Sequence, residues 1–245
     1  MRSAFNRSLR PHPRACMRVC ALAALLPLAA CSDRLTPSDD RWGQSGALIA
    51  VSGGEGGARY ACIQCHGARG EGNGFDAPRL AGLPAGYLQK QMEDFAAGLR
   101  PHEVMRDVAR FLDSHERVQV ANHYAALPVV AQPAMTASKS TVATVVQRHQ
   151  QAHPGRADAA TAALYAQRCA QCHGTDALGT PAGPPLAAQP ALYLAQQLQD
   201  WQVSKRRNDS EHAMLSVAQL LSAHEVKHLS RYLAASPPPP ARPGR

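Results

Sequence analysis

A duplication runs through most of this chain and constrains its fold more than any other feature. Residues 62–67 (CIQCHG) return as residues 169–174 (CAQCHG), 107 positions later. Residues 78–88 (PRLAGLPAGYL) return 106 positions later as residues 184–194 (PPLAAQPALYL), with 7 of 11 positions identical. Small changes in the offset are what loop insertions produce. The sequence therefore contains two homologous domains, which we place at residues 42–127 and 157–236.

The apolar residues within each domain have the spacing of helices. Residues 87–97 and 191–203 place apolar side chains at i, i+3 and i+4. Residues 113–116 (DSHE) and 222–225 (SAHE) resemble capping boxes that open a last helix. Helices are also expected over residues 46–61 and 158–170, which lead into the cysteine motifs. Because no run alternates as a strand does, we predict an all-α fold with three or four helices in each domain.

The positive charge of the chain lies mostly outside these domains. The formal net charge is +8, but the first 30 residues contain five arginines and no acid. Residues 42–127 contain 8 basic and 9 acidic side chains, and residues 157–236 contain 6 of each. A nucleic-acid-binding surface needs its cations clustered on a folded face. We therefore exclude nucleic acid as a partner.

The N-terminal residues predict export. Residues 19–30 (VCALAALLPLAA) form a 12-residue apolar run, shorter than the ~20 residues that span a bilayer and typical of a secretory signal. The run ends at Cys31, and this junction resembles the bacterial lipobox, whose cysteine is lipidated and becomes the new N-terminus. We predict a lipoprotein-type signal peptide over residues 1–30, a tether over residues 31–41 and a periplasmic protein anchored to a membrane at Cys31. The alternative is ordinary cleavage after Ala30, which gives a soluble periplasmic protein.

Two further segments have the composition of connecting or terminal regions. Residues 128–156 are rich in Ala, Ser, Thr, Gln and Pro without a sustained apolar period, and we interpret them as a linker. Residues 237–245 (PPPPARPGR) cannot form a helix or join a sheet, and we expect this tail to be disordered.

The repeated Cys-x-x-Cys-His motif carries the chemistry of the chain. Exported proteins seldom keep free thiols, and this motif is the signature of covalent c-type haem attachment. A zinc site would have to combine cysteines from separate repeats, a thioredoxin-like pair needs a βαβ context, and two local disulfides would leave the histidines unexplained. We therefore predict two covalently bound haem c groups, with His66 and His173 as axial iron ligands and with thioether bonds from four cysteines, namely Cys62, Cys65, Cys169 and Cys172.

Each iron needs a second axial ligand from later in its domain. Met105 and Met214 lie 39 and 41 residues after their histidines, in matching places of the repeat. Met92 aligns with Leu198 and is most simply a core residue. A methionine thioether favours ferrous iron and raises the potential, which suits an electron carrier. Ligation by a second histidine, through His102 or His212, is the alternative.

Together these residues resemble the dihaem cytochrome c4 family. The shared elements are Cys-x-x-Cys-His-Gly, Pro-x-Leu-Ala, Tyr-Leu-x-x-Gln, a later methionine and a closing helix that ends in Tyr, over most of residues 42–235. The resemblance implies two class I cytochrome c domains packed face to face. It also implies that the carbonyls of Pro78 and Pro184 accept the Nδ1–H of the haem histidines. Arg79 could meet a haem propionate, although its counterpart in the second repeat is Pro185.

The resemblance also implies a function and a set of partners. Proteins of that family carry electrons from a bc-type complex towards a terminal oxidase, without catalytic residues or a small-molecule substrate. This chain departs from the family in its longer linker, in its lipid anchor and in the absence from domain 1 of an Asn before the ligand methionine, where domain 2 has Asn208. The alternatives are a cytochrome subunit of a periplasmic dehydrogenase complex and a dihaem peroxidase, which would need an open iron position.

The lipid anchor gives a direct prediction. Replacing Cys31 with Ala removes the acylation site, and because each buried CH₂ contributes ~0.8 kcal/mol to membrane binding, the Cys31→Ala protein should move from the membrane to the soluble periplasmic fraction. Fractionation followed by haem staining measures this. A wild-type protein that is already soluble would favour ordinary signal cleavage.

Overall fold

The computed structural model describes residues 45–129 and 159–238. The predicted signal peptide, Cys31, the tether, nearly all of the linker and most of the proline-rich tail lie outside these residues. The described parts of both halves belong to one compact unit, residues 39–245. No helix among the described residues is long and apolar enough to cross a membrane.

The first half consists of helices joined by loops. They are α1 (Gly46–Ser52), α2 (Ile63–His66), α3 (Ala85–Ala97), α4 (Glu103–Phe111) and α5 (Ser114–Ala126), with short 3-10 turns at Gly54–Gly56 and Ala58–Tyr60. Helix α5 packs against α1 and α3, and α3 packs against α4. The helix expected over residues 46–61 ends early, because Gly53 adopts a left-handed conformation (φ 79°) and caps α1.

The second half repeats this order. Its helices are α6 (Ala159–Arg168), α7 (Ala170–His173), α8 (Ala191–Gln202), α9 (Ala213–Ala218) and α10 (Ala223–Ala235), with a 3-10 turn at Ser210–His212. Helix α10 packs against α6 and α8, and α8 packs against α9. The described residues contain one isolated β-bridge and no strand, as predicted. Each half has more helices than the three or four expected, because the cysteine motifs and the segments that contain the candidate methionines form separate helices.

Both predicted capping boxes are present. Asp113 accepts a hydrogen bond from the backbone N–H of Glu116, whose carboxylate accepts one from the backbone N–H of Asp113. Ser222 and Glu225 form the same reciprocal pair at the start of α10. These boxes satisfy backbone donors that a helix N-terminus otherwise leaves unpaired, and they fix the start of the closing helix in each half.

Each half has its own small hydrophobic core. Met92 packs against the first core and Leu198 against the second, as the repeat alignment predicted. The buried residues of the first core include Ile49, Leu83, Leu88, Leu112, Val120 and Tyr124, and those of the second include Tyr165, Leu194, Leu221, Val226, Leu229 and Leu233.

The two halves meet at a polar seam formed by side chains of α3 and α8 and by the loops that follow these helices. Arg100 and Arg206 occupy equivalent positions of the repeat, and both are buried. Arg100 donates to Oε1 of Gln91 (2.9 Å) and to Oε1 of Gln197 (2.6 Å). Arg206 donates to the same two oxygens, at 3.0 Å and 2.8 Å. Two like-charged guanidinium groups thus share two neutral acceptors around an approximate two-fold axis.

The second half adds contacts that break this symmetry. Nδ2 of Asn208 donates to Oε1 of Gln91 (2.9 Å) and to Oδ2 of Asp94 (2.7 Å). Nζ of Lys90 donates to the carbonyl oxygen of Asn208 (2.8 Å). The first half has no equivalent asparagine, because its chain from Arg100 to the candidate methionine is three residues shorter than the corresponding stretch of the second half.

The seam gives a stability prediction. Gln91→Leu removes an oxygen that accepts three hydrogen bonds, two of them from charged donors, so we expect a loss of about 2–4 kcal/mol in the free energy of unfolding. The control is Gln89→Leu on the same helix, where a half-buried side chain donates to Glu93. That change should stay within about 0.5 kcal/mol. Urea unfolding of the haem-loaded protein measures both, and equal effects would contradict the prediction.

Candidate haem sites

The two cysteine motifs form one-turn helices with the same geometry. In α2 and α7 the first cysteine stands at the N-cap and the second lies within the turn. Cys65 and Cys172 are exposed, and Cys62 and Cys169 are half-buried. Residues three apart on a helix lie on the same side of it, so the two thiols of each motif are placed to bond one planar ligand. None of these four cysteines forms a disulfide.

The first thiol of each motif is poorly suited to redox exchange. Burial raises the pKa of Cys169 to about 11 and also raises the pKa of Cys62. A reactive disulfide-exchange cysteine needs a lowered thiol pKa. In the part of the chain that the structure describes, no group of three or more His, Cys, Asp or Glu side chains could hold a metal ion, so the cysteines of the two halves do not combine into a zinc site.

The histidine of each motif is buried and oriented by a proline carbonyl. Nδ1 of His66 lies 2.9 Å from the carbonyl oxygen of Pro78, and Nδ1 of His173 lies 2.9 Å from that of Pro184. A carbonyl oxygen can only accept, so Nδ1 carries the proton and Nε2 keeps its lone pair. Burial lowers the pKa of both imidazoles. Each ring is therefore in the neutral tautomer that binds a metal ion through Nε2.

The glycine after each histidine is required by the backbone. Gly67 and Gly174 have φ values of 80° and 82°, a left-handed region that side chains disfavour. The chain then turns back, and the carbonyls of His66 and His173 accept from the backbone N–H groups of Gly72 (2.7 Å) and Gly179 (2.9 Å). These turns bring each proline carbonyl back to its histidine ring.

The two candidate methionines lie at equivalent places in the fold. Met105 is in the first turn of α4 and Met214 is in the first turn of α9, and both are half-buried. His102 is the N-cap of α4, where its Nδ1 accepts from the backbone N–H of Met105 (3.2 Å). His212 is exposed and has a left-handed backbone (φ 57°).

Three buried arginines leave positive charge without a carboxylate partner in the described part of this interior. Arg79 is 1% exposed, its Nε has no partner, and its Nη atoms donate to the backbone carbonyls of Ala81 and Ala187. Burial lowers its pKa to about 10, so it is still charged at neutral pH. Among the described residues, no carboxylate lies within ion-pair distance of Arg79, Arg100 or Arg206.

This charge excess fits a bound haem. An unpaired buried charge is strongly destabilising, and each haem c supplies two propionate carboxylates in addition to vinyl groups for the cysteines and an iron for the histidine. The residues of both halves therefore fit the group. The sequence singled out Arg79 but not Arg100 and Arg206, although their separation of 106 residues is that of the repeat.

Comparison with known proteins agrees with this arrangement. The family model described as Cytochrome c matches residues 55–117 and 159–236, one segment in each half. The thiosulfate dehydrogenase electron acceptor of Stutzerimonas stutzeri is 35% identical over 196 residues, which cover 77% of this chain and 85% of that relative. Cytochrome c4 of Pseudomonas aeruginosa is 29% identical over 175 residues, which cover 70% of this chain and 82% of that protein.

A solved structure has the same fold. The thiosulfate dehydrogenase of Marichromatium purpuratum is 35% identical to this chain, with a TM-score of 0.61. The match covers 78% of this chain and 40% of the longer Marichromatium chain. The paired motifs, the buried histidines, the all-helical halves and these similarities lead to one assignment: the chain belongs to the cytochrome c family, as an electron-transfer protein of the cytochrome c4 type with two covalently bound haem c groups.

Proposed function

We propose that this protein accepts single electrons from a thiosulfate-oxidising dehydrogenase and passes them towards a terminal oxidase. The observation that carries the proposal is the 35% identity to a thiosulfate dehydrogenase electron acceptor, because the match extends over 85% of that relative and includes both halves. The Marichromatium thiosulfate dehydrogenase supports it, since 78% of this chain matches a part of that longer polypeptide.

The proposal assigns His66 and Met105 to the iron of the first haem, and His173 and Met214 to the iron of the second. The equivalent positions of the two methionines support this assignment, as does the packing of Met92 in the core. When bound, each haem iron takes up or releases one electron. A thioether ligand favours the reduced iron, which suits an electron acceptor.

Residues of this chain fix the orientation and the protonation state of the histidine ligands. The Nδ1–H bonds to Pro78 and Pro184 keep the histidine rings neutral and fixed in orientation. An iron with two protein ligands has no vacancy for peroxide, which disfavours the peroxidase alternative. The protein is proposed to act in the periplasm, attached to a membrane through Cys31.

The donor is tested by reducing the oxidised protein with purified thiosulfate dehydrogenase and thiosulfate while the haem absorption is followed. We expect both haems to be reduced, and no reduction when either the enzyme or thiosulfate is omitted. The parallel reaction uses a bc-type complex and a quinol. Rapid reduction by the bc-type complex, with none by the dehydrogenase, would contradict the proposed donor and favour a general respiratory carrier.

Substitution tests the axial ligands. The oxidised protein should show the weak sulfur-to-iron absorption band at the intensity of two haems. Met105→Ala and Met214→Ala should each remove about half of this band and lower one of the two reduction potentials, because the thioether favours ferrous iron. Met92→Leu is the control and should leave the band and both potentials unchanged. A full band in Met105→Ala would show that another side chain binds the first iron.

A further inference from the structure

An exposed groove crosses the edge of the seam between the two halves. Its lining residues come from both halves and are Gly98, Leu99, Pro101, Ser204, Lys205 and Arg207. The two sides are joined by a hydrogen bond from the backbone N–H of Arg207 to the carbonyl oxygen of Leu99 (3.1 Å). Arg100 and Arg206 are buried below this seam groove. Each of them lies in sequence between two residues that line the groove.

Each lining residue of the first half has its counterpart, 106 positions later, on the other side of the seam groove. Met105 lies five positions after Arg100, whereas Met214 lies eight positions after Arg206. The second half therefore has a longer loop on its side of the seam, and this loop carries Arg207. The first half, which turns sooner into Pro101 and α4, has no such residue. Both basic residues of the lining therefore come from the second half.

The seam groove is positively charged in an otherwise balanced surface. The described residues contain fourteen basic and fourteen acidic side chains, and two exposed basic ones, Lys205 and Arg207, line the seam groove. None of the six lining residues is acidic. Nε of Arg207 donates to the carbonyl oxygen of Ser204 (2.7 Å), a neutral partner. Nζ of Lys205 lies 3.4 Å from Asp200, but the lysine side chain remains 53% exposed.

Apolar side chains flank these cations. Leu99 is 50% exposed and Val203, next to Ser204, is 72% exposed. Exposed apolar side chains beside like charges are typical of surfaces that bind other proteins, where the charges steer the encounter and the apolar groups are buried on contact. A partner that fits the seam groove therefore presents acidic side chains around an apolar contact.

We propose that the seam groove is the docking site for an acidic surface segment of the electron-donating protein. This inference rests on the proposed function, which requires a protein donor. A partner bound there contacts both halves at once. It lies over the buried Arg100 and Arg206, which bind the same two glutamine side chains. The lysine and arginine side chains speed association, and the shared seam places the bound donor beside both haem-bearing halves.

Charge reversal tests the docking site. In Lys205→Glu and Arg207→Glu, each made singly, the second-order rate constant for haem reduction by thiosulfate dehydrogenase and thiosulfate should fall about tenfold at low ionic strength, and the difference should shrink as salt is added. Lys227→Glu, an equal charge change on an exposed lysine of α10, is the control and should stay within about twofold. Reduction by ascorbate should be the same in all variants, which shows that the haems are intact.

The outcomes separate this inference from the proposed function. If the dehydrogenase reduces the wild type and both groove variants equally fast, the docking site is wrong and the proposed donor stands. If the dehydrogenase reduces none of them, the proposed donor is wrong, and the same variants measured with a bc-type complex and a quinol decide the docking site. Loss of binding to anionic vesicles in the groove variants, with unchanged reduction rates, would show a lipid-facing surface and overturn the proposal.

Discussion

Two guanidinium groups of the same charge are buried side by side between the halves of this molecule, and the arrangement of the seam follows from that constraint. Arg100 and Arg206 are held by the neutral oxygens of Gln91 and Gln197, which lower their repulsion without cancelling their charge. Burial and the neighbouring Arg100 lower the pKa of Arg206. The carboxylates of a bound haem would supply negative charge of the kind that this interior lacks.

The haem attachments themselves were predictable from the sequence, because every requirement is local. Two thiols three residues apart, an adjacent histidine and a glycine with a left-handed backbone all fall within one helical turn. The helices from residue 87 and residue 191 and both capping boxes were also predicted, since apolar spacing and a Ser or Asp three residues before Glu act over short distances. Comparison of the two repeats also identified the candidate methionine ligand, because Met105 has a methionine counterpart in the second half and Met92 has none.

The seam could not be predicted in the same way, because it depends on which faces of two separate halves meet. Gln91, Gln197 and Asn208 are polar residues within or after amphipathic helices, and such residues usually face solvent. The early end of α1 at Gly53 and the separate helix α4 depend on backbone turns that apolar spacing does not reveal. The lining residues of the seam groove are visible in the sequence, but the groove itself forms only where both halves are in contact.

The central claim is that this chain carries electrons on two covalently fixed haems, each with two protein ligands on its iron. The most direct measurement is a redox titration of the purified haem-loaded protein, with haem content and visible spectra determined on the same sample. The account predicts two haems in each chain, low-spin iron in both oxidation states and two one-electron transitions. One haem in each chain, or a high-spin ferric haem that binds and turns over peroxide, would contradict it.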